Sequence, residues 1–300
     1  DLDGLDLGHI EWPDVDEAPE GGPDAVPEVK EEATSRTGDL WLLGEHRVLC
    51  GDSTSAEDVA RLMNGERADL VFTDPPYDLG GQSRNHAATQ LQSKSYGGLY
   101  ASEWDHGFDI SKIAVPLGLV CAADCSVYVC TSHFYLPTLI PMFGALFDYS
   151  NVVVWAKPNP MPSLAKRHWT WCHEFLVYGT MGRQTFNFPA AGHAPSVWSL
   201  LKSPSNDLHP TQKPVDVPGH AIRHSSAEGD TVADLFLGSG STLIACEQTG
   251  RACYGLELSP NYVDVIVQRW QEYTGRAATL DGDGRTFAEV VEARAAEVQG

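Results

Sequence analysis

The sequence predicts an α/β fold, one sheet of mostly parallel strands with helices on both faces. Three observations lead there. From Gly38 onward, short apolar runs alternate with amphipathic stretches, the pattern of strands joined by crossover helices. The apolar runs have strand length and are rich in Val, Phe, Tyr and Trp. Finally, 300 residues with 42% hydrophobic content can fill a sizeable core, and seven such runs suit one doubly wound unit.

Taken in order, RVLCG (47–51) reads as a strand and 55–64 as a helix, followed by the strand LVFT (70–73). Residues 78–108 carry many Gly, Ser and Asn with little periodicity, which predicts a long functional or mobile loop. SVYVC (126–130) is the next strand, 133–146 a helix, and VVVWAK (152–157) and EFLVYG (174–179) are strands. After a helix over 214–225 come the strand TVADLF (231–236), a helix over 241–249 and the strand ACYGLEL (252–258). The last helix, 260–274, opens with Ser259 as a cap and Pro260 in the first helical position.

Charge is unevenly distributed. The net charge is −21, which by itself argues against phosphate binding. Residues 1–37 hold 12 acids and 2 bases, contribute −10 of that total, and read as an acidic disordered linker rich in Pro, Gly and Glu. Residues 155–224 hold 7 Lys or Arg against 3 acids, so a basic face is compatible with the total. No run of 18 apolar residues and no basic leader followed by an apolar core is present, so a cytoplasmic protein without a membrane span is expected. Seven cysteines, mostly inside apolar runs, suit free thiols in a reducing compartment, and no ligand spacing for a metal occurs. The chain begins at Asp1 and its first methionine is Met63, which predicts a piece of a longer protein with a further part upstream.

Two motifs carry chemistry. In VADLFLGSGSTLIACEQTGRACYGLEL, an apolar strand ends in Asp234, a tight Gly238-Ser239-Gly240 loop opens a helix, and a second strand ends in Glu257. Small residues at a strand-to-helix turn let the backbone approach a ligand closely. Glu257 follows Asp234 by 23 residues, near the offset at which a carboxylate receives ribose hydroxyls, so an adenosine-type cofactor is expected. The spacing matches neither GxGxxG nor a P-loop.

The other motif is VFTDPPY, ending at Tyr77. Two prolines fix an extended, rigid turn that holds the Asp74 carboxylate, the Pro75 carbonyl and the Tyr77 ring in one relation. Two acceptors and one flat face suit a planar exocyclic amine on a base taken out of its stack.

These residues, with GDLWLLGEHRVLCGDS, HEFLVYG, HPTQKP and GLELSPNYVDVIVQRWQEYTG, resemble the amino-methylating DNA methyltransferases that use S-adenosyl-L-methionine. The resemblance covers most of the chain from Asp39, and the catalytic motif precedes the cofactor loop as in the circularly permuted beta class. It implies a Rossmann-like, seven-stranded class I methyltransferase fold over residues 38–300, with a small target-recognition segment over 158–208. It implies catalytic roles for Asp74, Pro75, Pro76 and Tyr77. It also implies cofactor contacts from Asp52, Asp74, His209, Thr211, Gln212, Lys213, Asp234, Phe236, Gly238, Ser239, Gly240, Ser241, Glu257 and Leu258. Lys213 is expected on the cofactor side.

In this family Asp in the first motif position goes mostly with adenine N6 and Ser with cytosine N4, so Asp74 implies adenine in DNA. Lys166, Arg167, His168 and Trp169 mix cations with aromatics as DNA-binding surfaces do. Asp78 departs from the family form, which has Asn after the tyrosine. A homodimer and a ParB-like domain upstream of the acidic linker are further expectations from relatives. The alternatives are cytosine N4 chemistry, the same reaction on RNA or a protein glutamine, and a non-catalytic DNA-binding module.

Overall fold

The computed structural model describes residues 22–77, 108–159, 169–201 and 212–299. Among these, ten strands form one mixed sheet: β1 (Leu40–Leu43), β2 (His46–Cys50), β3 (Ala68–Thr73), β4 (Cys121–Thr131), β5 (Tyr149–Ala156), β6 (His173–Met181), β7 (Val197–Ser199), β8 (Thr231–Asp234), β9 (Ala252–Glu257) and β10 (Thr279–Leu280), in the spatial order β10-β1-β2-β9-β8-β3-β4-β6-β5-β7. All seven expected strands are present, and β1, β7 and β10 lengthen the sheet at its edges. These three have only two to four residues, too short for an alternation to stand out.

The run β2-β9-β8-β3-β4 is parallel, whereas β6 is antiparallel to both β4 and β5. The expectation of a mostly parallel sheet therefore holds at its centre and not on the β6 side. There β5 and β6 follow each other with no helix between them among the described residues, and such a pair runs antiparallel.

Helices cover both faces and make two cores. On one face lie α1 (Ala56–Met63), α2 (Ala114–Val120) and α3 (Leu136–Leu146), burying Val59, Leu62, Leu117, Leu139 and Phe143 against Val71, Val127 and Val177. On the other lie α4 (Asp216–Ser225), α5 (Ser241–Thr249), α6 (Pro260–Thr274) and α7 (Phe287–Gln299). Ile222, Leu243, Ile266, Trp270 and Val290 there pack with Phe72, Tyr128 and Trp155. With both faces covered, a central strand such as β3 can be apolar throughout, as ADLVFT nearly is.

Local signals set the helix ends. Ser55 caps α1 through its side chain, which accepts from the Asp58 amide at 3.2 Å. At α6, Pro260 takes the first helical position as expected, but Ser259 makes no side-chain cap; its amide instead donates to Glu257 Oε1 at 2.8 Å.

Part of the expected linker belongs to the folded body. Asp264 accepts from the Thr34 and Ser35 amides at 2.5 and 2.8 Å, and Trp41 Nε1 donates to Ser35 Oγ at 2.9 Å. Further upstream, Asp24 accepts from the Val215 amide at 2.8 Å and Arg269 Nη2 donates to the Pro23 carbonyl at 2.8 Å. The boundary drawn at residue 37 follows composition, which registers the acids and prolines but not the buried carboxylate and guanidinium that wait for this strap. Residues 1–21 of the expected linker lie outside the described residues. No helix among the described residues is long and apolar enough to cross a membrane.

Candidate active site

The two motifs meet where parallel strands β3, β8 and β9 end side by side. At the end of β8, Asp234 is buried, and its two oxygens are shared among three segments. Oδ1 accepts from Thr73 Oγ1 at 2.9 Å and from the Phe236 amide at 3.0 Å, while Oδ2 accepts from Thr242 Oγ1 at 2.6 Å. Thr73 immediately precedes the Asp-Pro-Pro-Tyr turn, so this carboxylate fastens that turn to the glycine loop and to the first turn of α5. Burial pushes Asp234 up to about 6, and the bonds from Thr242, Phe236 and Thr73 only partly offset it.

The glycine loop follows directly. Gly238 and Gly240 have φ of +55° and +86°, a region L side chains rarely enter. A Cβ on Gly240 would also meet the Ile266 side chain at 3.3 Å. Nothing lies within 4 Å of a Cβ placed on Gly238, which leaves that stretch of backbone open to a ligand. Behind the loop, the buried Arg269 donates to the Ser239 carbonyl at 2.8 Å and joins it to Pro23 of the strap.

At the end of β9, Glu257 accepts from the Gly238 amide at 2.9 Å with Oε2 and from the Ser259 amide at 2.8 Å with Oε1. Each oxygen retains a lone pair. Burial pushes Glu257 up to about 7, with the Ser259 and Gly238 amides working in the opposite direction. Asp52 lies just beyond that strand end, since Cys50 pairs with Glu257 and the Gly51 amide donates to the Glu257 carbonyl at 3.0 Å. Its Oδ1 accepts from the Thr54 amide and hydroxyl, both at 2.8 Å. Leu258 is 58% exposed on the same rim, and Phe236 packs edge-on against Phe108 with ring centroids 5.4 Å apart. Glu257, Asp52, Leu258, Phe236 and the open Gly238 backbone thus offer carboxylates, apolar surface and close main chain together, a set that fits an adenosine-type group.

The Asp-Pro-Pro-Tyr turn closes on itself. Tyr77 donates its hydroxyl to Asp74 Oδ1 at 2.7 Å, and Lys213 Nζ donates to Asp74 Oδ2 at 2.6 Å while lying 5.1 Å from the centre of the Tyr77 ring. Burial and the adjacent Asp74 charge raise the Tyr77 phenol well above its ordinary value, so it stays a neutral donor. The same Lys213 ammonium lies 3.2 Å from Glu174 Oε2, and Glu174 Oε1 is bonded to Lys157. Burial alone would lower Lys213, but Asp74 and Glu174 outweigh it and raise the group above the usual lysine range. Burial likewise opposes the charge on Glu174, and Lys213 and Lys157 outweigh it and lower that group.

Comparison with known proteins decides the family. A profile of N6/N4-type DNA methylases matches residues 68–268, about two thirds of the chain. The chain belongs to the DNA methylase family. It is similar to the type II methyltransferases M2.MboI of Moraxella bovis, 26% identical over 230 residues and covering 69% of this chain and 81% of that protein, and M2.DpnII of Streptococcus pneumoniae, 27% identical over 230 residues with coverages of 69% and 84%. Two solved structures share its fold. The M1.HpyAVI–SAM complex has a TM-score of 0.57 at 19% identity, covering 74% of this chain and 98% of that one. The cytosine-N4-specific PvuII DNA methyltransferase has a TM-score of 0.55 at 18% identity, with coverages of 88% and 94%. The fold is that of the class I methyltransferases.

The methylase brings Asp74, Tyr77, Asp234, Phe236 and the glycine loop together through Thr73 and Asp234, while Lys213 and Gln212 have other neighbours. Lys213, expected against the cofactor, reaches Asp74 and Glu174 instead, because only its backbone faces the glycine loop: its carbonyl accepts from Ser241 Oγ at 2.7 Å. Gln212 reaches the strap, donating to the Asp24 carbonyl at 2.9 Å in a part-buried bond. His209, Thr211, Lys166, Arg167 and His168 lie outside the described residues, as do 78–107 of the expected loop. Trp169 is fully exposed.

Sequence reasoning assigned no part to Thr73, Thr242, Lys157, Glu174 or Arg269. For Glu174 a signal existed, a lone acid heading the otherwise apolar strand EFLVYG. Buried acids persist when paired, so that position could have been marked.

Proposed function

We propose that this methylase transfers the methyl group of S-adenosyl-L-methionine to the N6 amine of an adenine flipped out of DNA. What supports the reading is the junction of Asp74, Tyr77 and the glycine loop through Thr73 and Asp234, in which the Asp-Pro-Pro-Tyr turn and the glycine loop share one buried carboxylate. The order of the motifs in the sequence, Asp74 ahead of Asp234, supports the permuted beta-class arrangement.

In this reading Glu257 accepts the ribose hydroxyls with the lone pairs its backbone bonds leave over, and Gly238 lets the chain lie close to the methionine end. Asp52 and Leu258 border the adenine ring. When bound, the cofactor would supply a methyl carbon on a positively charged sulfur, the sulfur keeping the C–S electron pair as the amine nitrogen gains the methyl group. The Asp74 carboxylate and the Pro75 carbonyl accept the two amine hydrogens, drawing the nitrogen lone pair out of the ring system and toward the methyl group. Tyr77 supplies the face on which the base rests. Holding the two partners in line provides most of the acceleration, because the sulfonium is already a good leaving group. The amine, once methylated, sheds a proton to water with no base required beforehand.

Asp rather than Ser at position 74 supports adenine over cytosine. The exposed Trp169, near the start of the 158–208 segment, supports a DNA-contacting role for that segment. The test is incubation with S-adenosyl-L-methionine and unmethylated genomic DNA, digestion to nucleosides and mass spectrometry. N6-methyldeoxyadenosine is the expected product. N4-methyldeoxycytidine would overturn the base assignment, and greater transfer to RNA than to DNA would overturn the substrate.

A further inference from the structure

The chain Lys157–Glu174–Lys213–Asp74 is a row of alternating charges that ends on the catalytic turn, and only its last member belongs to the motif. Its side chains are mostly shielded: 13% exposure for each lysine, 20% for Glu174 and 25% for Asp74. Lys213 is fixed at both ends of its residue, by Ser241 on its carbonyl and by the carboxylates on its ammonium. That ammonium is not shared evenly. It lies 2.6 Å from Asp74 and 3.2 Å from Glu174, whose buried Oε2 makes no directed hydrogen bond.

The asymmetry has a cause on the neighbouring strand. Lys157 follows β5 directly, where Trp155 pairs with Glu174 of β6, and it engages the other Glu174 oxygen. Its ammonium also lies 4.5 Å from the centre of the Trp155 ring, which holds it in place. Part of the Glu174 charge is thereby spent on Lys157, and Lys213 leans toward Asp74.

We propose that Glu174, balanced by Lys157, is a positioning residue that acts through Lys213 to aim the Asp74 carboxylate and to keep the local charge even when the amine becomes positive. This rests on the methyl-transfer reading above. Four side chains sum to zero charge, so positive charge moving from sulfur to nitrogen meets no net cation beneath it. Neutralising Glu174 leaves two ammonium groups against one carboxylate and opposes that movement. Neutralising Glu174 and Lys157 together restores the balance.

The experiment compares wild type, Glu174→Gln, Lys157→Met and the double variant in steady-state methylation, with cofactor affinity by calorimetry and melting temperature as controls. Glu174→Gln is expected to lower kcat on the order of tenfold, about 1.4 kcal/mol, with KM for DNA and cofactor affinity unchanged. The double variant is expected to recover most of that loss. A double variant as slow as Glu174→Gln or slower, at comparable melting temperature, would mean that Glu174 serves packing alone and would overturn the proposal.

A second readout needs no turnover. In protein carrying 15N-labelled lysine, the Lys213 ammonium signal at neutral pH, assigned by its loss in Lys213→Met, is expected to shift in Glu174→Gln and to return toward its wild-type position in the double variant. Identical Lys213 signals in wild type and Glu174→Gln would overturn the proposal even if the wild type proved to methylate something other than DNA, whereas a wild type inactive on DNA with distinct signals would sink only the functional reading.

Discussion

With Glu257 proposed to hold the ribose hydroxyls, cofactor binding is expected to be linked to a proton. The half-buried carboxyl at the end of β9 is pushed up by desolvation to about 7, above the ordinary glutamate value of 4.5. Hydroxyl donors prefer the ionised form, so binding S-adenosyl-L-methionine should pull Glu257 into its carboxylate state and release a proton wherever the free protein holds one. With a midpoint near 7, about one molecule in ten is ionised at pH 6 and about nine in ten at pH 8. Affinity should therefore rise roughly tenfold from pH 6 to pH 8 and then level off, close to 1.4 kcal/mol of binding free energy. Calorimetry in two buffers of different ionisation enthalpy measures both the affinity and the protons released. Glu257→Gln should bind more weakly and flatten the profile. An affinity independent of pH in the wild type, with no proton release, would refute the assignment of Glu257 to the ribose.

Other outcomes follow from the same geometry. Asp74→Ala should lose turnover by a factor of a hundred or more with cofactor affinity largely retained, because the groups proposed to hold most of the cofactor lie on β8, β9 and the glycine loop; weakened cofactor binding in a calorimetric titration would count against its role. Thr73→Val removes a buried hydroxyl that donates to Asp234 and accepts from the Leu235 amide, and should cost about 1–3 kcal/mol in urea unfolding. Trp169→Ala should leave the melting temperature unchanged and weaken DNA binding by about 1–3 kcal/mol if the exposed ring stacks on a base. For the cofactor-free protein, Asp234 and Glu257 both carry raised values, about 6 and 7. Their stabilising contribution is thus complete below the ordinary carboxyl range and lost as pH rises toward 7, so the melting temperature should fall over that interval and cofactor should reverse the fall.

How far the sequence discloses this molecule depends on whether a feature is local. The central strands were legible because a run such as LVFT is apolar on both faces, and the glycine loop because Gly238 and Gly240 are needed where φ is positive. Asp74, Tyr77, Asp234 and Glu257 stood out because rigid prolines, glycines and strand ends frame them. Thr73 and Thr242 did not, since a threonine in an apolar strand or at a helix start looks ordinary until Asp234 lies between them. The strap at Pro23 and Asp24 was hidden for a related reason. Its partners, Arg269 and Val215, are more than 190 residues away, and no window of composition spans that distance. Lys213 was noticed but misdirected, as backbone and side chain of one residue serve two different neighbours.

The sheet order has a consequence for synthesis. β3 reaches its place beside β8 only when residues 161 positions later have been made, the separation between Thr73 and Asp234. At about 5–20 residues per second a ribosome needs on the order of ten to thirty seconds to cover that interval. During it, the β3 edge that will receive β8 has no strand to pair with, while its other edge can already take β4. The nascent chain thus carries the Asp-Pro-Pro-Tyr segment on an unpaired strand edge well before Lys213 and Asp234 exist to hold it.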